Sequence, residues 1–438
     1  PGIGNPEENN DKAVIALGLD VPTVTASTRG TGSVGDVAGD QNTWNSQKLY
    51  IYMVDRNTGL EAEEGAENAK TKILDNGVLE FRAPKADAKD KGAIRIYKSY
   101  TEDSDNGVIQ YKYYPTNGQY TFYGYHIDDA ANANPSITAT EKKVTGVTID
   151  GTQDLLAAKT IDMAENDATA ADPESFYKDI ATSLGSEWTE LMKYQFGART
   201  ARKGIVPVLK FEHQLARLKF FVRAGSASAA GYEWQTSQWV ERKSSDAAAK
   251  PLGMQVTKIT LKDMANVVDM DLTVPSSTRN GAGVADFVVC SKDAAANNKL
   301  DPTKGLIDPV VPKYPYEDAN IPAQDPDTKG TQVGEPVMFF PIDDPDNGNI
   351  TLSIDLKQYV EDTKDEATGT ITYKEVEKAD NKLIIDQSKI SGATKKFMPG
   401  ASYNVYITIY GLEKIEVTAV LTAWENGGDI DADIEDGK

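Results

Sequence analysis

The sequence has few of the residues that form disulfide bonds or bind structural metal ions. Its only cysteine is Cys290, and its only histidines are His126 and His213. One cysteine cannot form a disulfide within the chain, and this set is too small for a zinc site of the usual cysteine and histidine type. We therefore expect packing alone to hold the fold together. A length of 438 residues indicates two domains.

Positive charge and long apolar runs are also scarce. The chain has 46 basic against 67 acidic residues, for a formal net charge of -21. Such a charge repels the phosphates of nucleic acids and anionic lipid surfaces, so we expect no nucleic-acid partner. No stretch approaches the roughly 20 apolar residues of a membrane-spanning helix, so no transmembrane segment is expected. The polar start of the sequence does not resemble a signal peptide, and it is interpreted as the start of a trimmed, mature segment.

Strand signals dominate the chain. The clearest is Asn349 to Lys357, where Ile and Leu alternate with polar residues, as in a half-buried strand. Turn-rich polar segments separate the strand signals, which favours β-sandwiches over βαβ units. The other predicted strands are Lys48 to Val54, Ala93 to Tyr97, Val108 to Tyr113, Gln119 to Tyr125, Pro207 to Arg223, Gln255 to Lys262, Pro336 to Pro341 and Ser402 to Tyr410. The predicted fold class is all-β, with two β-sandwich domains.

One segment predicts a helix. Asp172 and Pro173 suit its N-terminus, and Phe176, Ile180, Leu184 and Trp188 follow at helical spacing. The short basic stretch after it precedes a dense strand signal, which places the predicted boundary between domains 1–204 and 205–438. The proline-rich acidic stretch from residue 293 to residue 331 predicts a surface loop.

Two motifs resemble ligand sites but lack the expected context. Gly30 to Gly35 matches GxGxxG, yet no amphipathic helix follows to hold a pyrophosphate, so a linker is the better interpretation. Asp343 to Asn349 is acidic enough for calcium, but an EF-hand beginning at Asp344 would have Asn349 where the loop requires glycine. A tight turn is favoured there, with an opportunistic cation site as the alternative. No cofactor is expected.

Catalytic signatures are weak. No Gly-x-Ser-x-Gly elbow is present, and Cys290 follows Phe287, Val288 and Val289 in an apparent buried strand. His213 lies within a strand signal, where a packed or edge residue is favoured over a general base. A pair of catalytic carboxylates, as in a glycosidase, remains an alternative in so acidic a chain. The sequence does not reveal the distance between two carboxylates, on which such catalysis depends. We expect no enzyme.

The first strand signal lies close to the start of the sequence. Ile15, Leu17, Leu19 and Val21 alternate with small or polar residues, and a Gly/Ser/Thr/Asp stretch follows. Arg29, followed by Gly30, is the only basic residue between Lys12 and Lys48. A trypsin-like protease could therefore cut once, after Arg29, and detach one strand. The alternative is an ordinary first strand with an ordinary linker.

The last strand signals form a hairpin. A strand ending near Ile409 is followed by the turn residues Gly411 to Lys414 and by a long apolar strand. Exposed on a monomer, a strand apolar on both faces would promote aggregation unless a partner groove receives it. On one face it has Ile415, Val417, Ala419, Leu421 and Ala423, and on the other Val420 and Trp424.

These ends and one internal stretch carry a resemblance. The sequences FMPGASY, YNVYITIYGLEKIEVTAVLTAWENGGDI and FEHQLARLKFFV, together with the Thr28-Arg29 site, resemble the fimbrillin, or type V pilin, family of Bacteroidales fimbriae, which includes FimA-like and Mfa-like subunits. The resemblance implies two transthyretin-like sandwich domains, export as a lipoprotein and cleavage by an arginine-specific, trypsin-like protease. It also implies an extracellular location, in a fimbrium on the outer-membrane surface.

The resemblance further implies how subunits join. Cleavage after Arg29 would remove Ala13 to Ala26, and Ile415 to Ile430 of a neighbouring pilin subunit would fill the groove. The partners would be other pilins, the protease and a host or bacterial surface receptor. The lipidated cysteine of the family has no counterpart here, which leaves anchoring open. The alternative function is a monomeric secreted carbohydrate-binding or adhesive module, because five Trp and 20 Tyr could supply stacking surfaces.

Overall fold

The computed structural model describes most of the chain. The described residues are 13–15, 17–20, 49–74, 79–82, 93–99, 108–109, 112–127, 137–163, 177–245, 249–293, 330–342, 344, 348–390, 395–412 and 415–422.

Strands make up most of the regular structure, which confirms the all-β prediction. In chain order they are β1 (Gly18–Asp20), β2 (Tyr50–Asp55), β3 (Glu63–Glu64), β4 (Thr71–Lys72), β5 (Leu79–Arg82), β6 (Ala93–Ser99), β7 (Val108–Ile109), β8 (Tyr120–Ile127), β9 (Thr138–Ala139), β10 (Lys143–Thr148), β11 (Leu155–Thr160), β12 (Val208–His213), β13 (Ala216–Ala224), β14 (Tyr232–Gln235), β15 (Gln238–Glu241), β16 (Gln255–Ala265), β17 (Val267–Asp271), β18 (Ser276–Arg279), β19 (Val284–Ser291), β20 (Thr331–Gln332), β21 (Val337–Phe339), β22 (Ile350–Lys364), β23 (Ile371–Ile385), β24 (Ser402–Ile409) and β25 (Ile415–Thr422).

Three short helices lie between β11 and β12: α1 (Lys178–Leu184), α2 (Ser186–Met192) and α3 (Ala198–Ala201). The single predicted helix is therefore divided. The break falls at Gly185, whose φ of 54° is a left-handed conformation that glycine adopts without a steric penalty. Ala181, Trp188 and Leu191 are the buried residues of α1 and α2.

Two five-stranded and two four-stranded sheets contain most of the described strands. The first five-stranded sheet has the order β1, β12, β11, β8, β2. The second has β20, β13, β24, β25 in order, with β21 also paired to β13. One four-stranded sheet has the order β19, β16, β22, β23, and the other has the order β18, β17, β10, β9. The latter joins strands from distant parts of the chain, since β10 pairs with β17.

Two apolar cores lie between these elements. The N-terminal core contains Leu17, Phe122, Trp188, Leu209 and other residues from the first 211 positions. The C-terminal core lies between the sheets containing β13 and β16, as in a sandwich, and also takes in residues from β8, β10 and β11. Strand β11 serves both cores, because Leu155 and Ala157 belong to one and Leu156 and Ala158 to the other.

The segment that the sequence predicts as one strand from Pro207 to Arg223 is two strands in different sheets. β12 pairs with β11 in the first sheet, and β13 pairs in parallel with β24 in the second. The chain changes sheet at Gln214 and Leu215. Since β12 lies on the C-terminal side of residue 204 and pairs with strands on its N-terminal side, pairing crosses the predicted boundary, and the division at 204/205 stays a prediction.

Candidate functional site

The first described segment of the chain pairs with two other segments. Val14 forms an antiparallel bridge with Tyr113, the Ile15 amide donates to the Lys112 carbonyl at 2.8 Å, and the Tyr114 amide donates to the Ala13 carbonyl at 2.9 Å. Further on, β1 runs parallel to residues 208–210 of β12. The segment thus pairs with two neighbours in succession, through residues 13–15 and then through residues 18–20, so its removal would leave backbone groups of both unpaired.

Its apolar side chains reach the N-terminal core. Ala13, Ile15 and Leu17 are buried, and Leu17 is 1% exposed. Val14, between them, is only half-buried, which fits the two-residue period of a strand. Leu19 lies in β1 opposite Leu209. The predicted inner residues Ile15 and Leu17 are therefore part of this core.

Aromatic rings form much of the core that receives this strand. Tyr114 lies with its ring centroid 6.0 Å from that of Tyr120 and 6.3 Å from that of Phe122. Tyr177 lies 5.9 Å from Trp188 and 6.1 Å from Phe196. All belong to the same cluster as Ile15 and Leu17. We define these six aromatic residues as the aromatic floor. Losing the strand would expose apolar surface beside it.

Two hydroxyl groups of the aromatic floor differ in their partners. The Tyr177 hydroxyl accepts a hydrogen bond from the Val208 amide at 2.9 Å, next to the pairing with β1. The Tyr114 hydroxyl is buried and has no hydrogen-bond partner within the described residues. Burial raises the pKa of both phenols. Burial, with the Asp55 carboxylate adding to it, raises the pKa of Tyr120 to about 12.

The sequence analysis did not predict that the residues of the aromatic floor lie together. Tyr114 follows one predicted strand, Tyr120 lies in the next, and Tyr177, Trp188 and Phe196 lie in and around the helices. The pairing Tyr120↔Phe196 and the packing of the helices bring these regions together in the tertiary structure. The nearest sequence signal is the aromatic content of the stretch from residue 111 to residue 125.

Four of the predicted exchange residues cannot be placed. Arg29 and Gly30 of the expected cleavage site, Val21 of the first strand and Trp424 of the last lie outside the described residues. Their roles stay predictions.

The last described strand, β25, lies at the edge of its own sheet. It pairs with β24 along its whole length, from Ile409↔Ile415 to Ser402↔Thr422. Ile415 and Val417 are half-buried against the C-terminal core. Ala419 lies opposite Val405, and Leu421 lies opposite Tyr403. In the described chain, then, this strand completes its own sheet on one edge and has its other edge unpaired.

Buried polar groups lie where the chain passes from β12 to β13. The Nδ1 atom of His213 is 3.0 Å from Oδ1 of Asp154, and both side chains are sealed from solvent. The Arg217 guanidinium donates from Nε to the Ser402 hydroxyl at 3.0 Å, and burial lowers the pKa of Arg217 to about 10, with Asp154 opposing that shift. A sealed His–Asp pair cannot meet a substrate. His213 is thus a packed residue.

Other candidate ligand sites gain no support within the described residues. Cys290 is buried. Of the acidic turn, Asp344 accepts hydrogen bonds at its carbonyl from the Gly348 amide at 2.7 Å and from Gln387 Nε2 at 2.8 Å, as a turn does. No group of three or more potential metal ligands occurs in the described part of the chain. None of the described helices has the length and apolar character to cross a membrane.

Comparisons with known proteins return structures but no sequence family. No model of a protein family matches the chain, and no curated protein matches it by sequence. Among solved structures, a candidate cell adhesion protein of Bacteroides uniformis has 11% identity and a TM-score of 0.41, over 95% of this chain and 98% of that one. A candidate cell adhesion protein of Bacteroides ovatus has 12% identity and a TM-score of 0.37, over 93% and 96%.

The fimbrial anchor protein Mfa2 of Porphyromonas gingivalis has 10% identity and a TM-score of 0.27, over 94% of this chain and 98% of that one. These neighbours belong to the group of Bacteroidales adhesion and fimbrial proteins that the sequence resembles. At such TM-scores the likeness carries no argument about mechanism, which has to come from the geometry of the chain itself.

Proposed function

We propose that this protein is a structural subunit of a cell-surface fimbria, which loses its first strand by cleavage after Arg29 and polymerises by donor-strand exchange. The observation that carries the proposal is the placement of residues 13–20. The first part of this segment pairs with residues 112–114 and its second part with residues 208–210, and Ile15 and Leu17 are buried there; we call this place the slot. A strand so placed can be replaced by an equivalent strand of another subunit.

The free energy gained by burying the first strand supports strand exchange. Burying the Ile15 and Leu17 side chains is worth roughly 3 to 6 kcal/mol as an upper bound. The net stability of a domain is about 5 to 15 kcal/mol, so a subunit without this strand would be considerably weakened. A donor strand that restores the same burial and the same backbone hydrogen bonds would recover that free energy, which makes assembly favourable.

The C-terminal strand is the donor in this proposal. β25 and the residues after it carry alternating apolar side chains that suit the slot, with Ile415, Val417, Ala419, Leu421 and Trp424 as the donor set. As an edge strand, β25 pairs with β24 alone among the described strands. That pairing and the burial of Ile415 and Val417 have to be given up first, so we expect donation to occur only when an open slot compensates for them.

The partners and location in this proposal are those that the resemblance to the fimbrillin family implies. The partners are further pilin subunits, an arginine-specific trypsin-like protease and a receptor on a host or bacterial surface. The protein acts without catalysis, outside the cell, on the outer-membrane surface, and it is exported as a lipoprotein precursor. The names of the structural neighbours, which include a fimbrial anchor, agree with a surface role in adhesion.

Limited trypsin treatment followed by electron microscopy tests the proposal. We expect the first cut after Arg29, identified by mass spectrometry, and fibres afterwards. The Arg29→Ala variant is the matched control, since it should resist this first cut and stay monomeric under the same treatment. First cuts elsewhere with Arg29 intact, or a clean cut at Arg29 without any oligomer, would contradict the proposal.

A further inference from the structure

A two-stranded hairpin stands apart from the sandwich sheets. β14 and β15 pair only with each other among the described strands, and they are joined by the turn residues Thr236 and Ser237. Its base is fixed to the body of the protein, because Tyr232 packs against the C-terminal core and the amide of the buried Leu252 donates to the Arg242 carbonyl at 3.1 Å. The outer part, from Glu233 to Ser237, is exposed.

This exposed part carries an indole ring. Trp234 is 52% exposed, and the residue directly opposite it in register is Trp239. Tryptophan has a large apolar area and is usually buried at least in part, so a half-exposed indole offers an apolar surface on which a ligand could stack. Aromatic residues in such positions are typical contact residues of binding sites.

Charge around the ring is already compensated. Glu233, beside Trp234 in sequence, lies 3.8 Å from Arg242, and Glu241, on the facing strand, lies 3.1 Å from Lys243. A cationic ligand would therefore find little uncompensated negative charge at the hairpin. An anionic ligand would be repelled by a chain with a net charge of -21. These charges favour a neutral ligand.

The small exposed apolar area around Trp234 favours a small ligand. Among the described side chains of the outer hairpin, about half of the Trp234 indole is the exposed apolar surface, and the exposed polar residues Glu233, Gln235, Thr236 and Ser237 surround it. A stable protein interface needs about 800 Å² on each partner, several times the area of one tryptophan. A sugar ring matches the patch better, because its C–H face stacks on an indole while its hydroxyl groups bond to nearby carboxylate, amide and hydroxyl groups.

We propose that the hairpin of β14 and β15 is a binding site for neutral glycans, with Trp234 as the stacking platform and Glu233, Gln235 and Ser237 as hydrogen-bonding groups at its margin. The site lies on the subunit body and uses neither the first strand nor β25. It would therefore bind in the monomer and be repeated along a fibre, where many weak sites gain avidity.

Saturation-transfer NMR and calorimetry on the full chain test the site. The neutral probes are N-acetyllactosamine, cellohexaose and maltohexaose, and a heparin hexasaccharide is the anionic probe. We expect at least one neutral probe to bind and the heparin probe not to bind. Trp234→Ala should weaken that binding roughly tenfold or more, because it removes the apolar surface on which the sugar stacks. Val274→Ala, which alters another exposed apolar side chain, should leave it unchanged.

A second variant separates binding from hairpin stability, since cross-strand aromatic pairs stabilise hairpins. Trp234→Phe retains an aromatic ring opposite Trp239 in register. The melting temperature should therefore stay unchanged, while the affinity for the neutral glycan should still fall. The indole N–H resonance that disappears in this variant identifies Trp234, and it should shift on adding the neutral probe to the unaltered protein. No binding by any neutral probe, unchanged affinity in both variants, or a Trp234→Ala effect on self-association alone would overturn the proposal.

Discussion

At the scale of single residues, Tyr114 and Tyr177 offer a matched pair of substitutions in the aromatic floor. Tyr114→Phe removes a buried hydroxyl that has no partner among the described residues, so we expect the free energy of unfolding to stay level or rise by about 1 kcal/mol. Tyr177→Phe leaves the Val208 N–H without its acceptor and should lower the free energy of unfolding by about 1 to 2 kcal/mol. Urea denaturation measures both. Equal losses in the two variants would mean that Tyr114 also has a partner.

The same phenols predict an alkaline limit to stability. Burial raises the pKa of Tyr120 to about 12 and raises those of Tyr114 and Tyr177, so the folded state holds protons that the unfolded state releases near pH 10. Their contribution to stability is complete below pH 10 and is lost as pH rises from 10 towards 12. Urea unfolding at pH 9 to 12 should show this fall, and it should be shallower in Tyr120→Phe. A fall of the same slope in that variant would assign it to other groups.

At the scale of elements, the first strand should act in trans. A peptide of residues 12–21 added to the trypsin-trimmed subunit should occupy the slot and raise its melting temperature in a concentration-dependent way, because a ligand of the folded state stabilises it. The control peptide carries Asp in place of Ile15 and Leu17, which would place charges in the core at a cost of several kcal/mol. If both peptides act alike, or neither acts, residues 112–114 and 208–210 do not form a specific acceptor.

At the scale of the whole molecule, donor and acceptor functions should be separable. A trimmed chain ending at Gly411 keeps the slot but lacks β25, whereas the untrimmed Arg29→Ala chain keeps β25 but has its slot filled. Neither should polymerise alone. Mixed, they should form a one-to-one dimer, visible by light scattering after size exclusion.

Circular dichroism has to show that the shortened chain is still folded, since Ile415 and Val417 pack against its own core. A milder donor defect, Val417→Ala, should weaken the dimer while leaving the fold intact, and Glu416→Ala, at an exposed position of the same strand, is its control. Fibres formed by the trimmed, shortened chain would show that β25 is not the donor.

Much of the architecture lies in local patterns of the sequence. The alternation at Ile350 to Leu356 lies in β22, and the final hairpin is β24 and β25, with the register Ile409↔Ile415 at its turn. Alternation also marked Ile15 and Leu17, both of which are buried. These features are determined by the sequence alone, because a two-residue period fixes which side chains share a face, and a short turn fixes the pairing of the strands it joins.

Pairing between distant segments was decided only by the tertiary structure. β1 pairs with β12, and β10 with β17, although no local signal links either pair. Strand β11 has an unbroken, alanine-containing run that was not predicted as a strand, because burial on both faces removes the alternation. The exposed, charged β23 is a strand because it pairs along most of β22.

The change of sheet at Gln214 was likewise not predictable from local sequence. The strand pattern from Pro207 to Arg223 is continuous, yet β12 and β13 pair with different neighbours. Packing against two cores, rather than local preference, determines where β12 ends and β13 begins. The candidate slot depends on this arrangement. The sequence by itself determined the alternating apolar pattern of the first strand, which we propose can leave, while its pairing with residues 112–114 and 208–210 exists only once contacts between distant parts of the chain have formed.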